Sequence, residues 1–111
     1  ADPQRTQAAL DQIERLVADA SEDARPLQVE IIANGGGLDL VRSDGAPQAQ
    51  RVIALMREHG NVSVLACRKA LERLSYVKGV EAELLDGVLI APSALDQILM
   101  RMRQGWLYIR V

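Results

Sequence analysis

The sequence predicts an α/β domain with helices on both faces of a mostly parallel sheet. Three observations carry that expectation. Runs rich in Val, Ile and Leu alternate with stretches of helical apolar spacing. Gly, Pro and Asn clusters separate the two kinds of segment. The chain has 111 residues, 49% of them apolar, which suits one domain over 1–111 with its own core.

The elements follow in order. The first helix is expected over 3–20, with Pro3 at its first position, Asp2 as cap and Leu10, Ile13, Val17 and Ala20 on one face. A polar connection ending in Pro26 leads to a strand at 27–33 (LQVEIIA). Asn34, Gly35, Gly36 and Gly37 form a turn, and 38–41 is a short apolar segment. A second turn at 43–47 precedes a helix over 47–59, with Gly60 as its stop. Residues 61–66 (NVSVLA) read as the second strand and 67–74 as the third helix. The stretch 76–86 is irregular, with room for a turn of helix, and 87–91 (GVLIA) is the third strand. Pro92 and Ser93 open a fourth helix with Leu95, Ile98, Leu99 and Met102 at i, i+3, i+4, i+7. Gly105 ends it, and 106–111 (WLYIRV) is a closing strand.

Composition excludes several classes. Thirteen Lys and Arg against fifteen Asp and Glu give a net charge of −2, without the basic footprint of a nucleic-acid binder. No apolar run is long enough to cross a membrane. One cysteine excludes an intrachain disulfide and a CxxC pair. Phe is absent and aromatics total 3%, so the core is aliphatic. No cofactor and no metal site are expected. The acids Asp39, Asp44, Glu81, Glu83 and Asp86 have no metal-ligand spacing.

In a parallel sheet, ligands bind where the chain leaves the carboxyl ends of the strands. Here those segments are 34–38, 66–69 and 92–94. Cys67 stands at a strand–helix junction, where backbone N–H groups favour a thiolate, with Arg68 and Lys69 adding positive potential. Equally, Cys67, Ala70, Leu71 and Leu74 share one helical face, which suits a small buried hydrophobe. His59, the only histidine, lies before the strand that ends at Cys67, roughly 20 Å away at 3.3 Å per residue. An intrachain Cys–His pair is therefore not expected. The turn at 34–37 lacks GxGxxG and Walker spacing, so its glycines read as a tight turn or as N–H donors to a small anion beside Cys67. Ser93, three residues before Asp96, reads as a helix cap.

In their order and spacing, VEIIANGGGL at 29–38, VLAC at 64–67 with Leu71, LLDGV at 84–88 through Pro92 and Ser93, and QGWLYIR at 104–110 resemble the DsrE/DsrF-like proteins. The likeness covers essentially the whole chain. It implies a three-layer α/β/α domain in homo-oligomers, trimers or hexamers. It also implies sulfur relay through a persulfide, with Cys67 as the carrier. Asn34, Gly35, Gly36, Gly37, Arg68 and Ser93 would surround the bound sulfur species, and a donor or acceptor protein would be the partner. The alternative is a non-catalytic oligomeric interaction module with Cys67 as core packing. A nucleotide-binding domain is a distant third reading, resting on the glycine turn alone.

Two departures from the family pattern stand out. Arg68, Lys69 and Ala70 replace its small polar residue, Asn and Thr, which makes the expected pocket more basic. The family's first strand, before the Asp-Pro of the first helix, is absent, so four strands are expected where the family has five. No signal peptide is expected within residues 1–20, which lack a basic start and an apolar run. The expected compartment is the cytoplasm, with the periplasm as the alternative after signal removal.

Overall fold

The computed structural model describes residues 3–23, 26–43, 48–79 and 81–109. Asp2, Asp44, Pro47, Arg110 and Val111 lie outside the described residues. The elements are α1 (Pro3–Glu22), β1 (Val29–Ala33), a 3-10 turn (Gly35–Leu40), α2 (Ala49–Glu58), β2 (Val62–Cys67), α3 (Arg68–Lys78), β3 (Leu89–Ala91) and α4 (Ala94–Arg103). Strands alternate with helices, as the apolar patterning requires.

The sheet is parallel with order β1-β2-β3. Val29 pairs with Val62, Ala33 with Ala66, and Cys67 with Ala91. Both crossovers step in the same direction, so the right-handed rule puts α2 and α3 on the same face of the sheet. Val29, Ile31 and Ala33 of β1 and Val62, Val64 and Ala66 of β2 share one face by strand alternation. They join Leu10 and Val17 of α1, Val52 and Leu55 of α2 and Ala70 of α3 in the main core. The α1 stripe works as its spacing predicts: Val17 is fully buried, whereas Leu16 beside it is half-exposed. Arg51 of α2 reaches back to α1, with 2.6 Å to Asp11 and 2.9 Å to Glu14. The hydrogen bond to Asp11 is the largest cause that raises the Arg51 pKa above its ordinary value; partial burial opposes it and Glu14 adds to it.

The other face carries Glu30, Ile32, Leu65 and Leu89, and α4 lies across it. Gln97 Nε2 donates to Glu30 at 2.8 Å. Arg101 donates to Glu30 through Nε at 2.8 Å and pairs with it through Nη2 at 2.6 Å. Glu30's side chain is 8% exposed. Such a carboxylate needs this pairing, because burying an unpaired charge is costly.

Element ends differ from the sequence expectation throughout: α1 runs on to Glu22, β1 and β3 begin later, at Val29 and Leu89, and β2 is shifted by one residue, to Val62–Cys67. The short apolar segment at 38–41 is drawn into the 3-10 turn, closed by Gly37 N–H to Asn34 O at 2.9 Å and Val41 N–H to Leu38 O at 3.0 Å. Helix α3 continues four residues past the expected 74, to Lys78. It stops at Gly79, which takes φ +66° and returns its N–H to the last turn of the helix. Helix α2 ends at Glu58 with His59 as its cap, one residue before the expected end.

The closing strand expected at 106–111 is a correction. Among the described residues the sheet has three strands, not four, and 106–109 pairs with none of them. Trp106 N–H bonds to Arg101 O at 3.0 Å, and Gly105 turns the chain with φ +94°. The Arg101 guanidinium sits 4.7 Å from the Trp106 ring centroid. These contacts fold the segment back onto the end of α4 instead of laying it along a sheet edge.

Candidate functional site

Parallel register brings the carboxyl ends of the three strands together. Ala33 is level with Ala66, and Cys67 with Ala91. From this edge leave the Gly35–Leu40 turn, α3 and α4. The three sequence-predicted loops therefore do converge, and the glycine turn packs against α3.

Cys67 is both the last residue of β2 and the N-cap of α3, with extended φ −74°, ψ 119°. It is 4% exposed. Small buried residues line the same edge: Ala33, Ala66, Ala70, Ala91 and Ala94. This leaves the thiol at the start of a helix yet inside the core, so both sequence readings of Cys67 have a physical basis in one position.

The other predicted residues divide. Asn34 is extended and exposed, and its side chain makes no capping bond. Gly35 takes φ +54°, a conformation that L side chains rarely adopt. Gly36 lies in the same turn. The Gly37 N–H is already bonded to Asn34 O and is not free to receive a ligand. Arg68 and Lys69 are exposed at the start of α3. Ser93 is buried, and its hydroxyl accepts the Asp96 N–H at 3.4 Å, so it caps α4 as its spacing predicts. His59 caps α2 ahead of β2, at the opposite end of the strand that closes on Cys67. Among the described residues no group of three or more His, Cys, Asp and Glu could hold a metal ion. Asp39 instead pairs with Arg42 at 3.6 Å.

Sequence reasoning missed the polar cluster under α4. Glu30, Ile32, Ile98, Arg101, Met102 and Trp106, with Leu107 and Tyr108, surround a shallow cavity of about 50 Å³. Its signal was present: a single Glu inside a Val/Ile strand must find a cationic partner if the strand is covered. Its charged groups are engaged, with Glu30 taken by Gln97 and Arg101, and Arg101 Nη1 donating to Gln104 at 2.8 Å. The cluster therefore fastens α4 to the sheet.

Comparison with known proteins places the fold and stops there. No family model matches the chain, and no curated protein matches it. The chain is similar to a solved structure, the protein of unknown function MTH1491 from Methanobacterium thermoautotrophicum. The two share 26% identity with a TM-score of 0.81, over 99% of this chain and 90% of that one. The α/β architecture is thus shared with an archaeal protein over nearly the full length of both. Among the described residues no helix is long and apolar enough to cross a membrane.

Proposed function

We propose that the chain is a small DsrE-like sulfur-relay protein of the cytoplasm, or of the periplasm where a signal has been removed. One observation carries the reading: the lone cysteine stands at the carboxyl end of the central strand and caps the N-terminus of α3, beside a glycine turn. Backbone N–H groups at a helix start are the donors by which an anionic sulfur species is bound. In the reaction, the Cys67 thiolate attacks the outer sulfur of a donor persulfide, R–S–SH. The new S–S bond to Cys67 forms as the donor S–S bond breaks, and the donor leaves as R–S⁻. An acceptor nucleophile then takes the outer sulfur and returns Cys67 to the thiolate. No external oxidant or reductant is consumed. Asn34, Gly35, Gly36 and Arg68 surround the transferred group. Ser93 holds the start of α4.

The test is mass spectrometry after incubation with a sulfane donor. A gain of one sulfur atom on the wild type and none on Cys67→Ser is the expected result. No gain on the wild type, or an equal gain on both, overturns the reading.

A second reading rests on the burial of Cys67 among alanines and on exposed apolar residues along α4 and 107–109. On this reading the chain is a non-catalytic module that associates with copies of itself, and Cys67 is packing. Native-state alkylation separates the two. Fast labelling supports relay; labelling only after unfolding supports the module. Self-association, as the trimer or hexamer that the family resemblance implies, belongs to both readings.

A further inference from the structure

The outward face of α4 is apolar. Leu95 is 64% exposed, Leu99 42% and Met102 50%. The inward face is settled by contact: Gln97 and Arg101 reach Glu30, and Ile98 lines the cavity beneath, with half-exposed Met102 at its rim. At about 100° per residue, Leu99 then points almost directly away from the sheet. Leu95 and Met102 fall about 40° and 60° to one side of it, and Asp96 and Arg103 about 60° and 40° to the other. Asp96 and Arg103 are both exposed. Along the axis, Asp96 stands about 4.5 Å to one side of Leu99 and Arg103 about 6 Å to the other.

This pattern is complementary to itself. A two-fold axis passing beside Leu99 would set two α4 helices antiparallel, with Leu99 against its own copy. The operation keeps each side of the stripe on its own side and reverses its direction. Asp96 then falls opposite Arg103 of the second copy, twice. Leu95 falls opposite Met102, also twice. The mismatch in height is about 1.5 Å in each case. Antiparallel helix dipoles favour the same arrangement. A parallel two-fold pairing would instead set Asp96 against Leu95 and Arg103 against Met102 of the second copy, so neither charge would meet its opposite. Isologous contacts of this kind are the commonest way that chains close into dimers.

We infer that the outward face of α4 is a self-association surface whose occupant is α4 of a second copy, antiparallel about Leu99, with reciprocal Asp96–Arg103 pairs. The inference rests on the self-association reading above and names its surface. Sedimentation of the full chain over a concentration series tests it, with far-UV circular dichroism on every variant. The wild type is expected to self-associate reversibly. Asp96→Arg and Arg103→Glu should each weaken association about tenfold, since each sets like charges opposite one another. The double variant D96R/R103E restores opposite charges and should return to within about threefold of the wild type. Leu99→Glu should weaken association by about a hundredfold. A wild type that associates while the charge variants and Leu99→Glu leave its dissociation constant unchanged overturns this surface and leaves self-association standing. A wild type that is monomeric at every concentration overturns both. Should Leu99→Glu lose its helical signal, the charge-reversal series decides alone, because both its sites are exposed.

Discussion

On one face of the sheet, Val62, Val64 and Ala66 meet α1, α2 and α3 through aliphatic side chains that are almost wholly buried. On the other, Glu30 holds α4 through Arg101 and Gln97, while Leu89, Leu95 and Leu99 stay exposed. The first face is stabilised by non-directional burial, which grows with the apolar area removed from water. The second depends on a few directional contacts of charged and polar groups. The same chain thus builds a core that tolerates small shifts and a layer that stands on one carboxylate. Leu95, Leu99, Met100 and Met102 of that second layer are left exposed, where a partner copy can cover them.

The largest expected effect probes the packed face. Leu55→Ala removes a side chain that is 2% exposed and should cost about 2–5 kcal/mol, read as a lowered urea midpoint with unchanged slope. A loss below about 1 kcal/mol would mean that α2 is not packed on this core as described. Next, Arg101→Met leaves the Glu30 carboxylate with Gln97 alone and should cost about 2–4 kcal/mol. The double variant E30L/R101M removes both charges and should recover most of that loss. Failure to recover would show that the pair contributes net stability, beyond satisfying itself. Amide exchange should place the change in α4 first, because no comparable apolar layer covers it. Ser93→Ala removes the α4 cap and should cost about 1 kcal/mol. An unchanged midpoint would mean that the 3.4 Å contact is too long to matter.

The smallest effect sharpens the contrast from the polar side. Arg51 also joins two helices by ion pairs, but to acids that are about half exposed. Arg51→Ala should therefore cost at most about 1 kcal/mol, and the loss should shrink further as salt is raised. The raised Arg51 pKa means that its contribution is fully present below the unfolded value. It is lost only as pH rises through the still higher folded value, in strong alkali. Melting curves across neutral pH should then show no inflection from this group. An Arg51→Ala loss equal to that of Arg101→Met would erase the distinction between a covered and an exposed pair.

Much of the fold was legible in the residues. The α1 stripe, the two longer strands and the Ser93 cap are local patterns, and each is found where its period or spacing puts it. Cys67 at a strand end followed from the same reading. The length of α3 did not, because Ser75, Tyr76 and Val77 carry weaker helical preference and only Gly79 marks the stop. The 106–109 segment was misread for a different reason. Trp106, Leu107, Tyr108 and Ile109 have high strand propensity, but propensity expresses itself only beside an open edge. Arg101 and the end of α4 take hold of Trp106 instead. At the carboxyl edge, the glycines predicted a turn, but not that the Gly37 N–H would be closed within it.

By itself, the sequence determined the order and type of the elements from α1 to α4, the aliphatic core and the convergence of three loops on one edge of the sheet. These follow from side-chain period and backbone freedom, which act over a few residues. Tertiary structure alone decided that the sheet has three strands among the described residues, that Cys67 is buried and that Glu30 meets Arg101 across 71 positions of chain. Such facts depend on which groups become neighbours when segments distant in sequence pack. Burial and charge pairing are properties of that neighbourhood, and no local pattern contains it.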